Sequence, residues 1–383
     1  MARALYIHWP FCLKKCPYCD FNSHVRDGVE MAEWQAALLA DMRHEAERAG
    51  GERLESIFFG GGTPSLMPPG MVGVLLEEAA RLWGFEPQVE ITLEANPSSV
   101  EAANFASLAD AGVNRVSLGL QALDDAALRF LGRLHSAHEG LTALRTAQEA
   151  FERVSFDLIY ARPGQTAGQW ASELKQALGL GTGHLSLYQL TIEPNTRFAT
   201  DVRQGAFMPL AEDPAADLFA VTRELTEAAG LPAYEISNHA RSGDESRHNL
   251  AYWRYRDYLG VGPGAHGRRG GLATRRHRKP ENFLAAVGRN KHGLAEERPL
   301  GSREQASEAL LMGLRLREGV DLGALAARFG LPPDHMIEYD RLAILESHGL
   351  AWREGERVGA TAQGMPVLDA VLGELVPAAL AVT

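Results

Sequence analysis

Cysteine is scarce in this chain: Cys12, Cys16 and Cys19 are the only three in 383 residues. An odd number leaves one thiol over in any disulfide framework, and no basic and apolar secretory segment precedes the first strand-like run Leu5-Tyr6-Ile7. Free thiols in a reducing, cytoplasmic compartment are therefore expected. Also lacking is an apolar run long enough to cross a bilayer, which excludes an integral membrane protein. Positive charge is in deficit too. A formal net charge of −11 argues against a surface that binds nucleic acid, because such affinity rests on cations that neutralise phosphates. Internal repeats and low-complexity tracts are absent, which removes repeat arrays from consideration.

What is there begins with the placement of those thiols. All three cysteines fall in the eight-residue stretch Cys-Leu-Lys-Lys-Cys-Pro-Tyr-Cys, spaced three residues apart and then two. Three thiolates on one loop can hold three irons of a [4Fe-4S] cube and leave the fourth open to a small molecule. A zinc knuckle is the competing reading, with His8 or His24 as a fourth ligand. Zinc motifs usually pair two two-residue spacings, so the pattern favours the cluster.

From the N-terminus to about residue 240, short β-branched or aromatic runs alternate with stretches of helical period, the signature of βα units and a parallel sheet. Six strands are expected, at Leu5-Tyr6-Ile7, Ser56 to Phe59, Val89 to Leu93, Arg115 to Leu118, Val154 to Leu158 and His184 to Tyr188. Six units without a detectable seventh and eighth predict an α/β fold with a partial, open (β/α)6 TIM-type barrel, its reactive groups at the C-terminal strand ends. The expected organisation is a barrel over 1–240, a connecting region over 241–300 and a C-terminal α+β winged-helix-like domain over 301–383. The connecting region shows no clear helical period. It carries Arg268, Arg269, Arg275, Arg276, Arg278 and Lys279 with no acid among them, around a Gly270-Gly271 turn. Residues 301–383 predict helices through Leu310 to Leu316, from near Leu322 and from Ile337 to Ser347, then a hairpin punctuated by Gly355 and Gly359, and a closing helix from Val367 to Leu380. Seven basic against twelve acidic side chains there, net −5, point to a packing or partner-binding cap instead of a DNA reader.

The strand ends carry the chemistry. Strand two ends in Gly60-Gly61-Gly62-Thr63-Pro64, where backbone can approach a ligand because no Cβ intervenes. Glu94, Gln121 and Asp157 close the next strands, and Arg133 follows; together they suit a zwitterionic amino acid joined to a nucleoside.

These features resemble the radical S-adenosylmethionine superfamily, and more narrowly its branch of oxygen-independent coproporphyrinogen oxidases and heme chaperones. The supporting stretches are Tyr6-Ile7-His8-Trp9-Pro10-Phe11-Cys12, Gly60 to Ser65, Asp157-Leu158-Ile159-Tyr160 with Pro163-Gly164-Gln165-Thr166, and Tyr258 to His266. The resemblance implies that Cys12, Cys16 and Cys19 bind the cluster. It implies that Gly61, Gly62 and Thr63 lie at the methionine amino group, that Glu94, Gln121, Arg133 and Asp157 contact the rest of S-adenosylmethionine, and that Tyr6 lines the site. In that superfamily an electron donor reduces the cluster, and one electron passed to the sulfonium leaves a 5′-deoxyadenosyl radical.

Within the branch, the oxidases have a further cysteine two residues after the third and a longer N-terminal extension. This chain has Phe21 there and eleven residues before Cys12. His248-Asn249-Leu250-Ala251-Tyr252-Trp253 matches the heme-associated motif of the chaperones, which makes His248 the expected heme ligand. The implied function is transfer of heme to client hemoproteins, respiratory ones foremost. The alternative is radical decarboxylation of a tetrapyrrole. The basic run is a candidate for propionate or peripheral membrane contact, and assembly into an oligomer is left open. One departure stands out: Ala161-Arg162 follows Tyr160 where relatives have glycine and an apolar residue.

Overall fold

The computed structural model describes residues 3–49, 51–377 and 380. All six expected strands form, as β1 (Ala4–Trp9), β2 (Leu54–Gly61), β3 (Phe85–Ala95), β4 (Arg115–Gln121), β5 (Arg153–Tyr160) and β6 (His184–Gln189). They pair in parallel in that order. Helices such as Met31–Arg48, Pro69–Trp83, Ala137–Ala150 and Ala167–Leu178 connect them. Sequence dictates the last of these locally: Thr166 and Gln169 form a reciprocal capping box, and Trp170, Leu174 and Ala177 recur at helical spacing on the buried face. Trp170 is fully buried, stacks on Tyr160 and donates its indole N–H to Thr222 Oγ1 at 2.8 Å.

The sheet does not stop at β1. A short strand not anticipated within 1–240, β7 (Asn238–Ala240), pairs antiparallel to β6, and a segment read as aperiodic forms β8 (Tyr258–Val261), parallel to β1 on the side away from β2. A hairpin and a return strand, β9 (His266–Arg269), β10 (Leu272–Arg276) and β11 (Leu294–Pro299), extend it antiparallel. The result is one 11-stranded sheet with β7 and β11 at its two edges, an open barrel as expected. The helix Arg247–Trp253 was also not anticipated. Two turns are too short to show a period, although Ser246 supplies the N-cap by accepting from the Asn249 amide. The Gly270-Gly271 turn is where it was expected, with φ of 54° and 75°, the positive pair that a two-residue hairpin requires.

Most of the basic run is neutralised by acids far away in sequence. Arg276 is fully buried and bonds Asp41 Oδ2 at 3.2 Å and Glu45 Oε1 at 2.5 Å, while Arg269 bonds Glu45 Oε2 at 2.9 Å and also pairs with Glu297. Burial alone would raise the Glu45 carboxyl, yet the two guanidinium groups hold it below its ordinary range. Asp41 also accepts from the Gly262 and Gly293 amides at 3.1 and 2.9 Å. Helix Met31–Arg48 is thereby pinned to the strands beyond β8. Arg268 pairs with Glu308 and Arg275 with Glu296.

The C-terminal unit packs helices Ser302–Gly313, Leu322–Phe329 and Tyr339–Ser347 on a small sheet of β12 (Val320–Asp321), β13 (Ala351–Glu354) and β14 (Arg357–Ala360), with its own apolar core. The first helix ends at Gly313, short of the expected Leu316. The chain turns there so that Val320 packs where a Gly313 Cβ would stand, 2.6 Å from its Cγ2. Gly355 makes the hairpin turn, but Gly359 lies inside β14, where a side chain would meet the Trp352 ring at 2.5 Å. The last helix is Leu368–Leu375; residues 378 and 379 of the expected longer one lie outside the described residues. Among the described residues no helix is long and apolar enough to cross a membrane.

Candidate functional site

β1 sits between β2 and β8, so three glycine- or cysteine-bearing turns leave the sheet side by side. The cysteine loop follows β1 and is closed by a bridge between Phe11 and His24, with Cys12 N donating to His24 O at 3.0 Å. Asn22 anchors it: its Nδ2 donates to the carbonyls of Pro263 and Arg278, each at 2.9 Å. His8 spends both ring nitrogens, on Asn22 O at 2.9 Å and Tyr6 OH at 3.0 Å, and burial lowers its pKa to about 4. That removes His8 as a zinc ligand. His24 Nε2 bonds Asn22 Oδ1 at 3.3 Å. Among the described residues no three His, Cys, Asp or Glu side chains are grouped to hold one metal ion.

The glycine run also has a local packing cause. A Cβ on Gly60 would come within 2.8 Å of the Tyr6 ring, one on Gly61 within 2.4 Å of the His8 ring, and one on Gly62 within 2.6 Å of the Phe11 carbonyl oxygen. The space that glycine leaves open is therefore filled by the Tyr6 and His8 side chains of β1 and by Phe11 at the start of the cysteine loop. Gly61 and Gly62 still border the cavity beside the cysteines.

That cavity, about 140 Å³, is lined by all three cysteines and by Gly61, Gly62, Thr63, Glu94, Gln121, Arg133 and Asp157. Every expected cluster and nucleotide residue except Tyr6 is thus brought together. Tyr6 lines a contiguous cavity of about 530 Å³ that shares Phe21, Gly61 and Glu94 with the first. The thiols are free and partly buried. Thr63 Oγ1 donates to Cys12 Sγ and Arg133 Nη1 to Cys16 Sγ, both at 3.4 Å, while burial pushes the Cys12 and Cys19 thiols up. Asn96, just past the end of β3, was not singled out by sequence reasoning. It donates to Thr63 Oγ1 at 3.1 Å and accepts from Arg133 Nη2 at 2.5 Å, so it orients both donors to sulfur. Its place two residues after Glu94, ahead of Pro97, was the available signal.

The opposite wall is left unsatisfied. Burial, and next the Asp157 carboxylate, push Glu94 up to about 8, while Oε2 still accepts from the Gly61 amide at 3.1 Å. Asp157 is pushed up to about 6 by burial, although Ser117 donates to it at 3.3 Å. Gln121 has a φ of 70°, rare for a non-glycine residue, and among the described residues its buried Oε1 has no partner and neither has the buried Arg133 Nε. Strain and orphaned polar atoms at a strand end are the mark of a site shaped for a ligand. Three thiols with N–H and O–H donors aimed at sulfur, facing an amide, a guanidinium and two carboxyls, fit a cluster next to a zwitterionic nucleoside.

His248 is in neither cavity. It is 1% exposed, with Nδ1 on Ser56 Oγ at 3.1 Å and Nε2 on Tyr252 OH at 2.9 Å, and its ring stacks on Phe58. Burial lowers its pKa to about 3. Both nitrogens are engaged, so in this conformation it is a satisfied core histidine with no lone pair free for iron. Ala161, the departure noted in the sequence, takes a φ of 57°, which explains why glycine suits that position.

Comparison with known proteins agrees with this geometry. The family model of the Radical SAM superfamily matches residues 6–177, and that of the HemN C-terminal domain matches residues 300–367. The chain is 38% identical to the mitochondrial radical S-adenosyl methionine domain-containing protein 1 of Bos taurus, covering 96% of this chain and 86% of that one. It is 42% identical to the heme chaperone HemW of Haemophilus influenzae over 69% of this chain and 70% of the relative, and 38% identical to that of Escherichia coli over 86% and 87%. The fold matches the solved coproporphyrinogen III oxidase HemN of Escherichia coli with a TM-score of 0.82 at 22% identity, covering 97% of this chain and 89% of that one. This chain belongs to the radical SAM superfamily, within the family of the heme chaperone HemW.

Proposed function

We propose that the protein is a heme chaperone: it carries a [4Fe-4S] cluster on Cys12, Cys16 and Cys19, binds S-adenosylmethionine beside it, holds heme, and passes heme to client hemoproteins, respiratory ones among them. The observation that carries the reading is near full-length similarity to heme chaperones of the same superfamily, at 38% identity over 87% of the Escherichia coli relative. Gln121, Arg133, Glu94 and Asp157 are the residues we assign to the nucleotide, with Gly61, Gly62 and Thr63 at its amino-acid end. When bound, the cluster supplies one electron to the sulfonium. What the chain supplies is orientation: Asn96 sets the Thr63 and Arg133 donors against sulfur, and a Glu94 kept largely protonated near neutral pH lowers the charge repulsion at a carboxylate-bearing ligand. A reductant protein is a required partner on this reading.

Decarboxylation of a tetrapyrrole is the second reading, and the HemN-like fold favours it. Phe21 speaks against it: exposed on the cysteine loop and bordering both cavities, it carries no thiol where the oxidases have a fourth cysteine. We assign 1–240 to the barrel, 241–300 to a segment completing the site and 301–383 to the C-terminal unit, in a cytoplasmic protein. Lys279 of the basic run makes no side-chain ion pair among the described residues and is what remains for peripheral membrane contact. The test is a paired assay on anaerobically reconstituted chain. Binding of hemin and its release to an apo-hemoprotein, with no protoporphyrinogen IX formed from coproporphyrinogen III, is the expected result; catalytic product would overturn the chaperone reading.

A further inference from the structure

The larger cavity, about 530 Å³, is bounded by aromatic rings of Tyr6, Tyr252 and Tyr258 and opens beside the cysteine loop. Its size and apolar ring walls suit a flat macrocycle. Most of its donor atoms are already committed. His8 bonds at both nitrogens, Tyr6 OH bonds His8, and Tyr252 OH bonds His248. His266 is the exception among the imidazoles: it is exposed at the start of β9, lines the cavity, and makes no side-chain hydrogen bond among the described residues. Its backbone is held firmly, paired to Arg275 and packed so closely on β8 that a Gly260 Cβ would meet its carbonyl oxygen at 2.0 Å. Arg278 lines the same cavity, exposed, and is the one arginine of the basic run without a carboxylate partner among the described residues, since Arg268, Arg269, Arg275 and Arg276 all have one. Met312, from the C-terminal unit, lines it as well.

We infer that this cavity is where heme is held, with His266 as an iron ligand and Arg278 pairing with a propionate. The inference rests on the heme-carrying reading above and moves the ligand from the buried His248 to an imidazole that has a free nitrogen. A neutral imidazole suits heme iron, and a guanidinium is matched to a carboxylate in bidentate geometry.

The test uses the full-length chain titrated with hemin and, in parallel, with metal-free protoporphyrin, read by visible absorption. His266→Ala should weaken hemin binding roughly ten-fold or more and shift its Soret band, while leaving metal-free protoporphyrin affinity unchanged, because only the iron bond is lost. Arg278→Gln should weaken both porphyrins and have no effect on a porphyrin dimethyl ester. His248→Gln, which can replace the bonds to Ser56 and Tyr252, should keep the wild-type Soret band. An unaltered hemin spectrum in the His266 variant overturns the inference, and so does loss of the Soret band in a folded His248→Gln protein. Failure of the wild-type chain to bind hemin at all would instead sink the heme-carrying reading on which it rests.

Discussion

Two polar clusters, one joining the first helix to the strands beyond β8 and one at the ends of β3 and β4, differ in how completely they are satisfied. Around Asp41, Glu45, Arg269 and Arg276 each charge meets its opposite, and even backbone amides are used to fill the remaining lone pairs. Around Gln121, Arg133 and Glu94, polar atoms lack partners among the described residues, a side chain sits at positive φ, and burial pushes a carboxyl up to about 8. The first cluster stabilises the fold; the second is shaped for something not made of protein. Stability and function have been separated in space, which is the usual trade-off at sites kept under strain.

The comparison predicts opposite phenotypes. Alanine at Cys12, Cys16 or Cys19 should abolish the brown absorption of the reconstituted cluster, while the melting temperature of the apo chain moves by less than about 3 °C. Arg276→Met should do the reverse, costing about 3–5 kcal/mol in urea unfolding by leaving Asp41 and Glu45 buried without their counter-charge. A variant that still unfolds at the wild-type urea concentration would show the cluster to be ornamental. The Glu45 carboxyl is depressed in the folded state, so its contribution is present at neutral pH and is lost as pH falls through the acid range below about 4. Glu45→Gln should flatten that limb of a stability–pH curve.

Glu94 should behave with the opposite sign. Its folded pKa is raised to about 8, so ionising it costs stability as pH rises from the unfolded carboxylate value toward 8. Glu94→Gln should therefore stabilise the apo chain by roughly 1–3 kcal/mol at pH 9 and by little at pH 5, while weakening S-adenosylmethionine binding. No pH dependence in the difference between variant and wild type would refute the assignment. The smallest effect is expected at Gln121→Gly. Relief of the positive φ should raise apo stability by about 1 kcal/mol, again at the expense of nucleotide affinity measured by calorimetry.

How much was legible follows the range of each interaction. The six βα units were visible because β-branched runs and helical periods are local, and the cysteine spacing is local too. Strand β8 was not, because its partner β1 lies about 250 residues away and four residues carry no period of their own. Likewise Arg268, Arg269, Arg275 and Arg276 read as part of a basic patch because their acids, Asp41, Glu45, Glu296, Glu297 and Glu308, come from other segments. The site residues at strand ends could be picked out one by one, but Asn96 could not be given a role, since what identifies it is its position between Thr63 and Arg133. For His248 the sequence resemblance pointed to iron, and burial with two hydrogen-bonded nitrogens points to the core.

The anchoring of the cysteine loop by Asn22 to the carbonyls of Pro263 and Arg278 has a consequence for biogenesis. Synthesis runs from the N-terminus, so the thiols emerge from the ribosome long before the residues that hold their loop in shape. Until position 278 has been translated, the cysteine loop has only its local closure, the bridge between Phe11 and His24, and lacks its anchor to the distant chain. The loop therefore takes its final shape only after residues 263 to 278 have been made and have folded against it.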